Sequence, residues 1–333
     1  MENKPLLHKQ KKSRYFALSF PLKILLRWTM FFVMLYGESV YSQNETMFSQ
    51  TFVNPAFINP GYAGSDTGSY YNVAALNRMQ TTGFDKAPNT MTFNVNGPLN
   101  IGGVSGGLTA TFINDRAGFL NTPSFNFGYA YKTVFNEGSL GIGLSAGLFF
   151  STVEAGAWKL PEGNSDPALP TGKNSKQSFD LGLGLYYAKN KWYAGASVTH
   201  LIRPVLVAGD VAVKLPQNYY LMAGYKFLLN NPDFEIRPAM LILTDLKSSI
   251  YSVNALMYYR NKYWIGLDYR HNSSLGFIAG LNLFPELRLG YSFGYNTSML
   301  SKFSGGNHEI LITYRFSVFI NKEKMKYKSI RYL

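Results

Sequence analysis

The side chains able to do chemistry in this sequence are few and widely spaced. Beyond residue 42 only three histidines remain, His200, His271 and His308. His271 lies in RHNSS with Ser273 and Ser274, and His308 precedes Glu309. A serine activated by histidine, with a carboxylate behind it, would make a hydrolase. Neighbouring residues of an extended strand face opposite ways, however, so this spacing favours a histidine at a turn. The glycines of IGGVSGG (101–107) lack the following Lys-Ser/Thr of a phosphate loop. Asp66 and Asp85 are lone carboxylates and make no acid–base pair. The absence of cysteine removes disulfides, a thiolate nucleophile, a thiolate metal site and N-terminal cysteine acylation. The chain reads as not an enzyme, with no catalytic, cofactor-binding or metal residues and no cofactor.

The elements around these residues are more telling. From about 69 to 320 the sequence alternates with period two. In SFNFGYAYKT, Phe125, Phe127, Tyr129 and Tyr131 share one face, and Asn126, Gly128, Ala130 and Lys132 the other. GSLGIGLSAGLFF sets Leu140, Ile142, Leu144 and Leu148 against Gly141, Gly143, Ser145 and Gly147. The final strand, NHEILITYRF, does the same with Ile310, Ile312, Tyr314 and Phe316 against Glu309 and Arg315. Such alternation means strands with one apolar and one polar face.

A soluble sandwich buries that apolar face, whereas a membrane barrel turns it to lipid. Segments of about ten to thirteen residues match the roughly 9–11 of a tilted spanning strand and exceed the usual five or six of soluble strands. The apolar faces are rich in Tyr, Phe and Trp and, in these segments, hold no Lys, Arg, Asp or Glu. A midplane Lys or Arg there would cost about 2–4 kcal/mol. The fold expected is all-β, a transmembrane antiparallel outer-membrane β-barrel of about 14 strands.

Connection lengths support that count. Odd connections fall at 81–87, 115–121, 156–175, 201–216, 244–248, 272 and 297–306, and even ones at 98–103 and at short turns near Asn136, Asn190, Asn231-Pro232, Asn261 and Pro285. Long extracellular loops and short periplasmic turns are the barrel pattern. The weakest strand, 233–243, contains Pro238, which implies a bulge. Charges on the polar faces, Asp180, Lys226, Asp268, Arg270 and Arg315 among them, form no ladder for selecting a solute, so transport stays open.

Residues 1–42 read as a signal peptide, with a basic n-region, an apolar WTMFFVMLY core, and Val40 and Ser42 ahead of cleavage before Gln43. Nine apolar residues fall short of the roughly 20 of a spanning helix. Removing them leaves 25 basic and 17 acidic residues, a net +8. Five Lys/Arg lie in the last thirteen residues, a basic tail at 321–333. Such a tail suits an acidic surface or partner; for an exported chain, nucleic acid is not expected. Both mature termini are expected to be periplasmic.

Residues 43–68, ahead of the 69–320 barrel, hold FVNPAFINPGYAG (52–64) with two Asn-Pro pairs. Proline gives up its donor and pushes the preceding residue out of the α region, which argues against both helix and ladder-bonded strand. Phe52, Phe57, Ile58 and Tyr62 are too apolar for a solvated linker. An ordered periplasmic or lumen-inserted segment is expected, with Asn54, Pro55, Asn59, Pro60, Tyr62 and Gly64 as partner-contact or positioning residues.

FSQTFVNPAFINPGYAG (48–64), LNRMQ with GFDKAP (76–88), KYWIGLDYR (262–270), LRLGYSFGYNTS (287–298) and GGNHEILITYRF (305–316) together closely resemble the PorP/SprF-like outer-membrane proteins of type IX secretion and gliding motility. The resemblance spans the mature chain up to 320. It implies a non-enzymatic barrel in outer-membrane lipid beside the type IX translocon components. Its role would be delivering or retaining a secreted surface protein client, often an adhesin, together with a peptidoglycan-associated periplasmic protein. The alternatives are a general porin or solute channel and, third, an outer-membrane hydrolase. The long connections 156–175 and 201–216 are where client contact is expected, and the basic tail is where a periplasmic partner is expected.

Overall fold

The computed structural model describes residues 47–65, 70–100, 103–154, 173–208, 211–297 and 304–317. The proposed signal peptide and the basic tail lie outside them. Fourteen antiparallel strands form one closed wall. They are β1 (Tyr70–Met79), β2 (Asn89–Pro98), β3 (Gly106–Ala117), β4 (Leu120–Phe135), β5 (Gly138–Glu154), β6 (Lys173–Lys189) and β7 (Trp192–Thr199). There follow β8 (Asn218–Tyr225, resuming at Phe227–Leu228), β9 (Phe234–Thr244), β10 (Ser249–Tyr259), β11 (Tyr263–Arg270), β12 (Ser274–Asn282), β13 (Leu287–Asn296) and β14 (Asn307–Ser317). Each pairs with its chain neighbours, and β14 returns to β1 from Tyr70↔Ser317 to Met79↔His308. The chain is a 14-stranded antiparallel β-barrel, as the alternation predicted.

The alternation places the faces correctly. Phe125, Phe127, Tyr131, Ile142, Leu144, Ile310, Ile312 and Tyr314 are exposed on the outer wall, where lipid would lie. Thr92, Asn94, Asn254, Asp268 and Glu309 are buried on the inner one. Among the described residues every strand is paired on both sides through the membrane belt, which a bilayer requires of any sheet that spans it.

Three local expectations change. Residues 115–121 are not a loop: β3 runs to Ala117 and β4 starts at Leu120, so Gly118 (φ +62°) and Phe119 close a two-residue turn. Polar residues such as Asp115 and Arg116 suit a strand that extends past the bilayer, which is why they read as loop. Pro238 makes no bulge. Its register with Ala255 of β10 is unbroken, and on the β8 side two residues oppose two between Gly224↔Ala239 and Phe227↔Ile236. The missing donor only interrupts the ladder at Tyr225 and Lys226, and Lys226 N–H, which faces the β7 side, donates to Lys191 O (2.6 Å). Finally, the inner face is not uniformly small and polar. Leu76, Tyr220, Leu241, Leu243, Trp264 and Leu311 are inward and buried, because the lumen has contents for them to pack against.

Candidate functional site

The contents are residues 47–65. The two Asn-Pro pairs each open one turn of 3-10 helix, Pro55–Phe57 and Pro60–Tyr62. Proline stands first in each turn, where a missing N–H costs nothing and φ is already suitable. Asn54 and Asn59 precede them with non-helical backbone. Their side-chain oxygens accept from Ala56 N (3.3 Å) and Gly61 N (2.8 Å). A short turn, rather than a helix or strand, thus reconciles the prolines with an ordered, buried path.

The same two asparagines reach the wall. Asn54 Nδ2 donates to Asn94 Oδ1 of β2 (3.4 Å), and Asn59 Nδ2 to Leu185 O of β6 (3.0 Å) and Ala196 O of β7 (3.5 Å). Ser197 Oγ donates to Ile58 O at 2.9 Å. Tyr62 sets its ring edge-on to Tyr186, with centroids 5.0 Å apart. Phe48, Phe57, Ile58 and Tyr62 join the inward apolar residues in one buried cluster, while Val53 packs on a second around Leu256, Tyr258, Trp264 and Ile278.

Backbone meets backbone where the wall is glycine. A Cβ on Gly141 would collide with Gly61 O, one on Gly143 with Pro60 C and Gly61 N, and one on Gly107 with Ala63 O. Gly184 faces Asn59 Oδ1 in the same way, and Gly290 faces Gln50 Oε1. Gly64 itself has φ +70° and lies over the Cα of Gly107, a place that only glycine fits without strain. Lys132 Nζ, beside this glycine floor, donates to Gly61 O (3.0 Å) and bonds Ser65 Oγ.

The other end of the segment is held by charge. Glu309 Oε1 accepts from Ser49 N (3.0 Å) and from Arg78 Nη1 (3.2 Å), and Oε2 from Gln50 N (3.2 Å). Asp268 accepts from Ser252 Oγ (3.0 Å) and faces Arg270 at 4.0 Å. All four charged groups are buried, so each requires the other sign nearby. Glu309 and Arg78 lie towards the odd connections, whereas Gly64, Gly97 and Gly107 border the even connection at 99–105. The segment therefore runs obliquely down the lumen before the chain enters β1.

A second piece enters from the odd end. Residues 200–217 contain a hairpin, Val205–Ala208 with Val211–Lys214, that packs on β5 and β6. Val205 N donates to Ser178 Oγ on the inner face of β6 (3.2 Å). His200 Nδ1 bonds Asp180 Oδ2 at 2.9 Å, with φ +55° at His200 turning the chain inward.

Of the six residues marked from sequence, Asn54, Asn59, Pro60, Tyr62 and Gly64 meet the barrel's own inner wall, and Pro55 opens the first turn. The three histidines stay apart: His200 with Asp180, His271 beside Tyr269 and Tyr251, His308 beside Tyr291 and Phe293. Among the described residues no group of three or more His, Asp or Glu is placed to hold a metal. Sequence reasoning missed the glycine floor, Glu309 and Arg78 as holding groups, and the 205–214 hairpin. Their signals were present as inward glycines on adjacent strands and as strands apolar on both faces, such as AMLIL (239–243).

A wall with this inner segment invites comparison with known proteins. The model of the type IX secretion system membrane protein PorP/SprF matches residues 40–314, most of the chain. The chain belongs to the PorP/SprF family. The match takes in the Asn-Pro segment and all but the last residues of β14. No curated protein matches. Similar solved structures include the Acinetobacter baumannii outer membrane protein Omp33, at 8% identity and TM-score 0.44, covering 75% of this chain and 98% of that one. The CymD monoaromatic hydrocarbon channel aligns at 11% identity and TM-score 0.47, with 84% and 95% covered. The P. putida toluene transporter TodX aligns at 10% and 0.43, with 80% and 94% covered. The family match and the closed wall of strands make this PorP/SprF protein an outer-membrane β-barrel and a type IX secretion membrane protein.

Proposed function

We propose that this PorP/SprF protein is a non-enzymatic accessory barrel of the type IX translocon that helps deliver or hold particular secreted surface proteins, adhesins among them. In this reading residues 1–42 are the export signal and the odd connections face the cell exterior. The C-terminal basic tail meets a peptidoglycan-associated protein in the periplasm. The observation that carries the reading is the family match over residues 40–314. The filled lumen supports it against the general porin, since a porin conducts through an open channel, and here residues 47–65 and the 205–214 hairpin occupy the inner face. The inner segment then serves as an internal brace, giving translocon and client a rigid barrel.

Deleting the gene tests this. The surface and culture-fluid proteomes should lose a small set of secreted proteins while uptake of small hydrophilic solutes stays normal. Intact secretion with slowed solute uptake would replace this reading with the porin.

A further inference from the structure

The seam between β6 and β7 is closed only in part. β5 and β6 pair along their whole length, from Ser139↔Ala188 to Glu154↔Lys173. β7 pairs with β6 only from Leu183↔Val198 to Lys189↔Trp192. The chain then leaves the sheet. His200 (φ +55°) and Arg203 (φ +54°) take left-handed conformations that turn it inward, and the His200–Asp180 bond and Gln217 Nε2 donating to Leu201 O (2.8 Å) hold that turn. Among the described residues, the last backbone bond across the seam is Leu201 N to Leu181 O, 2.9 Å. The 205–214 hairpin that follows forms a sheet of its own and does not continue the β6 ladder.

Among the described residues, β6 therefore has a free edge from Lys173 to Asp180. Because Leu181 O points across the seam, alternate residues direct their backbone groups the same way. Phe179, Gln177, Ser175 and Lys173 present N–H and C=O to the open side. The next donor in line, Leu181 N, is taken by Asp180 Oδ1 at 2.9 Å, so the free edge has a defined lower end. Counting roughly 9–11 residues of tilted span from Lys189 brings the strand to the bilayer surface near Phe179, which is 73% exposed. The strand above it stands in water. Edges of this kind are ordinarily shortened, bulged, charged or blocked by proline; Lys173–Asp180 has no proline and an unbroken register with β5, and its guards are the charges of Lys173 and Lys176.

We propose that this edge is a strand-addition site that takes an extended, acidic segment of a partner protein. Backbone pairing to Ser175, Gln177 and Phe179 would supply the binding. Acidic side chains suit it because Lys176, Arg203 and Lys214 are all exposed around the seam. The proposal rests on the secretion reading only for the source of the strand. Its binding test uses the purified protein and so fails or succeeds independently of any secretion defect.

The test is amide hydrogen exchange on the full chain in nanodiscs, with a ten-residue peptide of alternating Thr and Glu as probe. Without peptide, the amides of 175, 177 and 179 should exchange as unprotected groups while those of 176 and 178, bonded to β5, are slow. Saturating peptide should slow 175 and 177 by about tenfold or more, the mark of a new ladder. The Ser175→Pro/Gln177→Pro double variant removes only edge donors, so it should keep the β5 ladder slow and lose the peptide effect. The Thr substitutions at the same positions should retain it. Protection of 175 and 177 without peptide would mean that the edge is already covered, and would overturn the proposal. So would no effect at millimolar peptide, equal binding by the proline variant, or protection that rises with protein concentration alone, which marks a second copy.

Discussion

Gly143 is the position from which the inner segment can be dislodged most cleanly. Any side chain there points at Pro60 C and Gly61 N, which are backbone and cannot swing aside. Docking of residues 58–62 rests on Tyr62 burial, about 1.5–3 kcal/mol, and on the Ser197–Ile58 and Asn59–Leu185 hydrogen bonds, about 0.5–1.5 kcal/mol each. The low end, about 2.5 kcal/mol, corresponds to roughly 60-fold protection of a buried group, at about 1.4 kcal/mol per tenfold. Overpacking a filled interior ordinarily costs about 1–3 kcal/mol, and four carbons driven against backbone belong at the upper end. Gly143→Leu should therefore cancel the docking locally. The chain has no native cysteine, so Ile58→Cys gives a single buried reporter thiol. Its maleimide labelling in the folded, detergent-solubilised barrel should be roughly 60-fold slower than that of a cysteine at exposed Lys247. Adding Gly143→Leu should speed it by about tenfold or more while heat-modifiable gel mobility shows the barrel intact. A reporter thiol that labels freely with Gly143 in place, or that stays protected once Gly143→Leu is added, would refute the docking geometry.

Other perturbations separate the remaining parts of the account. Glu309→Gln leaves Arg78 buried without its counter-charge and weakens the hold on Ser49 and Gln50. It should destabilise the barrel by about 3–5 kcal/mol, read as a lower heat-modification temperature, whereas Glu286→Gln in a turn should change nothing. On the outer wall, Leu144→Arg should cost about 2–4 kcal/mol in refolding titrations into lipid, and Lys there should behave alike; tolerance of both would deny that this face meets lipid. Asp245, in the turn before β10, is subject to burial that raises its pKa. The donors Ser248 N, Lys247 N and Ser248 Oγ outweigh that and hold it below the ordinary aspartate value. A depressed carboxylate pKa stabilises above the unfolded value, about 3.9, and the benefit fades as pH falls through the folded one. Protection of the Ser248 amide relative to its intrinsic exchange rate should fall only below about pH 4, and Asp245→Asn should remove that dependence.

Much of the wall was legible because a membrane barrel obeys one strict local rule. Phe125 and Phe127 face out and Asn126 faces in for reasons contained within three residues, and repeating that rule yields the strands and their number. The inner segment follows no such local rule. Asn59 is fixed by carbonyls 126 and 137 residues away, and nothing near it in sequence names Leu185 or Ala196. Gly141 and Gly143 were visible as small inward residues, but a small residue does not say what approaches it. Glu309 read as one of several inward charges, since its pairing with Arg78 depends on β14 closing onto β1. The 115–121 turn was misread for the opposite reason: polarity marks the end of the membrane belt, not the end of a strand. The hairpin at 205–214 was hidden because its four-residue strands are too short for alternation to register.

The claim that most needs a direct test is that this barrel works as part of the type IX machinery. The measurement is purification of the intact protein from outer membranes in mild detergent, through a tag in the connection at 245–248, followed by identification of its stable companions. The account predicts translocon components together with a secreted surface protein or a peptidoglycan-associated protein, and no steady conductance when the preparation is placed in planar bilayers. A solitary barrel that conducts ions steadily with residues 47–65 in place would contradict it.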